Sequence, residues 1–182
     1  MERSNSVENL IVPGCKLAKD EAEARVDATQ YKQMIVSLMD LTATRLDLMY
    51  MVSLAGRYME KPTELHMQAV KRILRYLKGT TELRVCYKKG GEIGKLVAFL
   101  DNDYAGDVDD RMSKSGYVFL MSIGAVSWSS KKQPVVTLLT TEAEFIAAAS
   151  CACHEADATS GIAVHKECKL KFLELKTKRT YR

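Results

Sequence analysis

No apolar run in this 182-residue chain is long enough to cross a membrane, and no secretory signal opens it. The sequence therefore points to an intracellular protein, cytoplasmic or nuclear and not secreted, with no membrane partner. The five cysteines (Cys15, Cys86, Cys151, Cys153, Cys168) are odd in number and unevenly placed. They do not read as a disulfide framework, and reduced thiols are the expectation. No internal repeat is apparent, and the length holds one domain or pieces of two. Neither sign of charge dominates: 27 Lys and Arg against 23 Asp and Glu leave +4. That balance is compatible with nucleic acid without demanding it. An apolar content of 47% excludes disorder throughout.

Periodicity divides the chain into four stretches. Residues 1–27 are polar and turn-rich, with Pro13-Gly14, and read as a linker or extended arm. Residues 28–80 are helical. Tyr31, Met34, Ile35 and Leu38 share one face, and Leu48, Met51, Val52 and Ala55 share another between about 47 and 59. A third helix starts at Pro62-Thr63-Glu64, runs on a stripe of Leu65, Ala69, Ile73 and Leu77, and stops at Gly79. Near its start His66 stands three residues after Thr63, where packing or capping outweighs catalysis. Lys71, Arg72, Arg75 and Lys78 lie on its polar side, either as a solvated face or as a phosphate-contacting one.

In residues 81–153 the period changes to 2. Leu83, Val85 and Tyr87 alternate, and Lys88-Lys-Gly-Gly91 reads as a turn. Strands are expected at about 95–101, 115–122 and 125–130, with Trp128 packed in a core, and a helix at about 142–151. The order of helices, antiparallel strands and a helix gives an α+β layout. The tail, 154–182, is lysine-rich and weakly periodic, with a short amphipathic helix conceivable at 166–176.

The chemistry concentrates where the first of those strands ends. Leu96–Leu100, buried in a sheet, would hold Asp101 and Asp103 at its edge, and hard divalent cations need carboxylate oxygens fixed in that way. A second acidic signal, Thr140-Thr-Glu142-Ala-Glu144, heads the last helix. Two rival metal readings are weaker. Asp101-x-Asp103-x-x-Gly106 imitates a calcium loop but has Ala105 and Met112 at its fifth and twelfth positions. Cys151-x-Cys153-His154 with His165-x-x-Cys168 has the residue types of a zinc site without a usual spacing.

The run Phe99-Leu-Asp101-Asn-Asp103-Tyr-Ala-Gly106-Asp107-x-Asp109-Asp110-Arg111-x-Ser113-x-Ser115-Gly-Tyr117, then Trp128-Ser-Ser-Lys-Lys-Gln133-Pro134, then Thr141-Glu-Ala-Glu144-Phe, resembles the ribonuclease H region of copia-type LTR retrotransposon Pol polyproteins. Upstream, Tyr31-Lys-Gln, Leu41-Thr-Ala-Thr-Arg45, Arg57-Tyr-Met-Glu-x-Pro62 and Lys71-Arg-Ile-Leu-Arg75 resemble the end of the reverse transcriptase and its connection in the same polyproteins. The resemblance covers about Asn5 to Cys153. It implies an RNA/DNA hybrid as partner and Mg²⁺ ions, held by a few carboxylates, for hydrolysis of the RNA strand. By position Asp101 matches the aspartate of the first strand and Glu144 the glutamate of the first helix, as catalytic and metal-binding residues. The third helix's Lys71, Arg72, Arg75 and Lys78 remain candidates for nucleic-acid contact.

The fold so implied is a helical segment followed by a truncated ribonuclease H-like mixed sheet with one packed helix. After Cys153 the family pattern stops. Its third strand-end aspartate and fourth acid have no counterpart, since Asp157 follows the helix too closely. The expectation is a Pol fragment lacking two strands of its sheet, holding Mg²⁺ weakly and impaired in catalysis. The alternative is a non-catalytic nucleic-acid-binding or structural remnant.

Overall fold

A computed structural model describes residues 4–19, 22–87, 96–121, 124–159 and 169–172, with side chains as far as His154. The chain forms two compact units. One comprises Met1–Val85 with Asp107–Arg111, and the other Cys86–Gly106 with Met112–Arg182.

The first unit is helical: α1 (Ala28–Leu41), a 3₁₀ turn (Leu46–Leu48), α2 (Met49–Gly56) and α3 (Glu64–Gly79). Asp27 caps α1 by accepting from the Thr29 N–H at 2.8 Å. Tyr31, Ile35 and Leu38, spaced i, i+4, i+7, are buried with Leu48, Met51, Val52 and Ala55, and with Met67, Val70 and Ile73 of α3. The Tyr31 hydroxyl, whose pKa burial raises, donates to the Ala55 carbonyl at 2.8 Å. This ties α1 to α2 inside the core, where an unpaired hydroxyl would be costly.

The buried stripe of α3 is not the predicted one. His66, Met67, Val70 and Ile73 face inward, while Leu65, Ala69 and Leu77 are only half-buried. The cause is the helix start. Thr63 and His66 form a capping box in which the His66 ring takes the place of the usual Glu or Gln. Its Nδ1 accepts from the Thr63 N–H at 3.0 Å, and its Nε2 donates to the Ala18 carbonyl at 3.1 Å, which fixes the tautomer. The ring stacks on Tyr58, centroids 3.9 Å apart. Rotating that buried ring inward turns the whole stripe.

Burial lowers the His66 pKa, against smaller opposing effects of the Ala18 hydrogen bond and of Glu23 and Asp109. A base whose folded pKa is depressed contributes fully above its unfolded value, about 6.5, and loses that contribution as pH falls through the lower folded value. The helical unit should therefore lose stability between pH 7.5 and 5. His66→Gln, which keeps a cap acceptor but does not titrate, should flatten the dependence of the urea midpoint on pH. A midpoint equally pH-dependent in both proteins would contradict this.

The second unit is a mixed sheet with one helix. Strands β1 (Leu96–Asp103), β2 (Lys114–Met121) and β3 (Gly124–Lys132) form an antiparallel meander, α4 (Thr140–Thr159) follows, and β4 (Lys169–Phe172) pairs parallel to β1. The strand order is β3-β2-β1-β4. Leu96, Ala98 and Leu100 alternate into a core with Phe119 and with Cys151 of α4. The α+β class is thus observed.

Several local expectations need correction. Within 166–176 the described residues form a strand and not a helix, so the tail returns to the sheet. Its alternating Lys-Leu-Lys-Phe suits a ladder beside β1. Leu83–Tyr87 is not a strand: Leu83 and Tyr87 are exposed, so the alternation there buries nothing. The Tyr87 ring lies against Gly124 of β3, and its hydroxyl donates to the Ala125 carbonyl at 2.7 Å. Trp128 is half-buried and outside the core, opposite Val118 on the sheet face that α4 does not cover. The turns expected at 88–91 and 122–124 lie wholly or partly outside the described residues.

Candidate functional site

Asp101 follows the last buried residue of β1, and strand alternation places it with Phe99 and Asp103 on the face away from α4. Its cross-strand neighbour is Gly116, which has no side chain to crowd it. The residue is exposed, yet burial of the carboxyl raises its pKa. A backbone hydrogen bond from Asn102 opposes the rise, and the Asp103 charge adds to it. Such a carboxylate gains from an approaching cation.

Glu144 lies in the first turns of α4 and is exposed. It flanks the stripe of Ala143, Ala147 and Cys151 that the helix buries. Glu142 is committed elsewhere, accepting from the Leu138 N–H at 2.9 Å to close the helix start. Asp157 is inside α4.

What joins the end of β1 to the start of α4 is Gln133, a residue quoted in the family motif but given no role of its own from sequence. It is 3% exposed. Its Nε2 lies 3.3 Å from Asn102 Oδ1, 2.7 Å from Ser115 Oγ and 2.8 Å from the Ala143 carbonyl. Asn102 and Ala143 are the chain neighbours of Asp101 and Glu144. One buried amide thus ties together the strand end and the helix turn that carry the two acids. Its Oε1 is buried with no hydrogen-bond partner among the described residues. The backbone of Gln133 is held too, its N–H donating to the Ser113 carbonyl at 2.8 Å.

The other acids of the knot have structural partners. Asp103 lies 3.7 Å from the Nζ of Lys114, a lysine only 7% exposed. The Asp103 carboxyl also fills the space where a Cβ on Gly106 would be, 2.0 Å from Oδ2, so a larger residue there would push that side chain aside. Ala105 and Arg111, at φ 49° and 60°, adopt left-handed backbone that costs about 1 kcal/mol or more for a residue with a Cβ. Asp107 belongs to the first unit, where its buried carboxylate pairs with Arg57 at 2.5 Å. Among the described residues no three His, Cys, Asp or Glu side chains come together as a metal group. Cys151 is buried in the sheet core and His154 lies against Tyr117, while His165 and Cys168 lie outside the described residues.

The basic side of α3 is covered by the arm. Arg72 Nε donates to the Asn9 carbonyl at 2.9 Å, Arg75 Nε to Asn5 at 2.7 Å, and Lys78 Nζ to Ser4 at 3.1 Å. Lys71 lies 3.8 Å from Glu64 one turn back. The described residues of the arm form no helix or strand, and each of these carbonyls takes one side-chain N–H of its partner.

No family model matches the chain, and no solved structure matches it. Among curated proteins it is 42% identical over 135 residues, 74% of its length, to the retrovirus-related Pol polyprotein from transposon RE1 of Arabidopsis thaliana. It is 44% identical over 129 residues, 70% of its length, to that from transposon TNT 1-94 of Nicotiana tabacum. The chain spans only 9% and 10% of those two proteins. A separate short match is 78% identical over 27 residues to actin-depolymerizing factor 2 of Petunia hybrida, covering 15% of this chain and 19% of that protein.

Proposed function

From a chain that belongs to the copia-type retrotransposon Pol family, we propose that the second unit is a ribonuclease H-type domain whose ancestral task is hydrolysis of the RNA strand in an RNA/DNA hybrid. The observation that carries this reading is the order of the second unit. A strand carries Asp101 two residues before its end, a helix carries Glu144 in its first turns, and the next described strand runs parallel beside the first. Gln133 then joins the chain neighbours of the two acids, Asn102 and Ala143, while Asp101 itself lies on the sheet face away from α4.

Asp101 and Glu144 would hold Mg²⁺. Hard oxygen donors suit that ion, and the raised pKa of Asp101 makes its carboxylate one that a cation stabilises. Bound there, Mg²⁺ supplies neutralisation of the charge that builds up on a phosphodiester during hydrolysis. Gln133 is the positioning residue, since it sets the helix turn against the strand end.

Catalysis by this chain is proposed to be weak. The strand beside β1 reads Lys169-Leu-Lys-Phe172, with two lysines and no carboxylate. The short actin-depolymerizing-factor match fits the tail, where the Pol-like motifs stop and where residues 154–182 are long enough to hold it. A tail of separate origin accounts for lysines where the Pol pattern has acid.

The test is a carboxyl titration followed by NMR with and without millimolar Mg²⁺, beside a hybrid-cleavage assay. Mg²⁺ should lower the Asp101 pKa, and Glu144→Gln should weaken that response. Residual cleavage should fall at least tenfold in Asp101→Asn. That variant removes a carboxyl whose folded pKa is raised, so it should not destabilise the fold at neutral pH. An Asp101 titration indifferent to Mg²⁺ would overturn the proposal.

A further inference from the structure

We propose that a cationic pocket in the first unit binds the phosphate groups of a nucleic-acid strand, at a site separate from α3 and from the acids of the second unit. Lys19, Arg25, Arg57 and Lys61 line a cavity of about 310 Å³, with Glu60 as its one acid. After Glu60, the Asp107 partner of Arg57 and Asp109, which accepts from the Lys19 N–H, are counted, one positive charge remains in surplus.

The walls are fixed. Arg57 is held by Asp107, and the Lys19 N–H donates to Asp109 Oδ1 at 2.9 Å. The Arg25 segment is pinned to the start of α3 by a bridge to Thr63, by Val26 N–H to the Pro62 carbonyl at 3.2 Å, and by Glu64 N–H to the Ala24 carbonyl at 3.0 Å. The cations are therefore presented from a rigid frame, which lowers the ordering cost of binding.

The pocket offers charge without a platform for a base. Tyr58, its one aromatic, is stacked on His66 and gives its hydroxyl to the Leu17 carbonyl at 2.8 Å. Burial is the largest cause raising that hydroxyl's pKa, and the charges of Asp109 and Asp107 add to it, so it stays a neutral donor. Base recognition needs an open aromatic face or an edge-reading donor set. Phosphate recognition needs only clustered cations and is independent of sequence. The chemistry selects a phosphodiester backbone over a free nucleoside.

The experiment is fluorescence anisotropy of a labelled RNA/DNA hybrid with the full chain across a salt series. Lys19→Glu/Lys61→Glu should weaken binding at least tenfold and make the salt slope shallower by about 2. Lys19→Gln/Lys61→Gln, which removes charge without reversing it, should give the same slope change with a smaller loss of affinity. Both lysines are exposed, so the folded state should survive, as circular dichroism would verify. Unchanged affinity and slope, or losses produced only by Lys71→Glu/Lys78→Glu, would overturn the assignment. So would displacement of the hybrid by ATP or inorganic phosphate at strand-equivalent phosphate concentrations, which would make the pocket a small-anion site. Binding carries no Mg²⁺ requirement, so its outcome is read independently of hydrolysis.

Discussion

Arg57→Met should destabilise the helical unit by about 3–5 kcal/mol, the cost of leaving a buried carboxylate without its counter-charge. The Asp107 side chain is 3% exposed and that of Arg57 18%, so solvent does little to screen the loss. Asp107 would keep the Asp109 N–H, which donates to its Oδ1 at 3.0 Å, but a neutral donor does not replace a guanidinium. The paired replacement Arg57→Met/Asp107→Leu should recover most of the loss, because removing both charges also removes the desolvation cost. Urea midpoints of the two variants separate these outcomes. A single variant as stable as the parent would mean that Asp107 is not held by Arg57. Nothing in the sequence marks this pair, since the residues stand 50 apart.

The second large effect is expected at Gln133. Replacement by leucine keeps the volume but removes the donor shared by the half-buried Asn102 and Ser115 side chains and by the Ala143 carbonyl, which keeps its place in the α4 ladder. Unsatisfied buried groups cost about 1–3 kcal/mol each. Loss of the orphaned Oε1 returns part of this, so a net loss of about 2–4 kcal/mol is expected. The more specific consequence concerns Asp101. With the strand end and helix turn no longer joined, the Mg²⁺ response of the Asp101 carboxyl should be lost even where enough protein remains folded to titrate. A destabilised variant with an intact Mg²⁺ response would confine Gln133 to packing.

The candidate site was partly legible in the chain. Asp101 stands out because an apolar strand-length run stops at a carboxylate, and Glu144 because a helix pattern begins with acids. Local patterns carry both signals. The role of Gln133 is not legible in that way, because its three partners lie 31, 18 and 10 residues away on separate elements. The basic side of α3 illustrates the converse. Its lysines and arginines are plain in the sequence, but the arm carbonyls that take one N–H each from Arg72, Arg75 and Lys78 come from 63 to 74 residues upstream. The α3 stripe departs from the apolar spacing because His66, read from sequence as packing or capping, caps the helix and stacks on Tyr58 in a buried position.

By itself the sequence determined what period-reading and motif spacing can carry: helices from Ala28 to Gly79, three antiparallel strands, an acid-headed helix, and membership of the copia-type Pol family. These depend on contacts within a few residues or on linear order. Tertiary structure alone decided that the tail supplies a strand parallel to β1, that Asp107 is spent on Arg57, and that one amide joins the two elements bearing Asp101 and Glu144. Those outcomes rest on burial and hydrogen-bond satisfaction between distant segments. A buried polar atom must find whatever partner the fold brings to it, and no local pattern names that partner in advance.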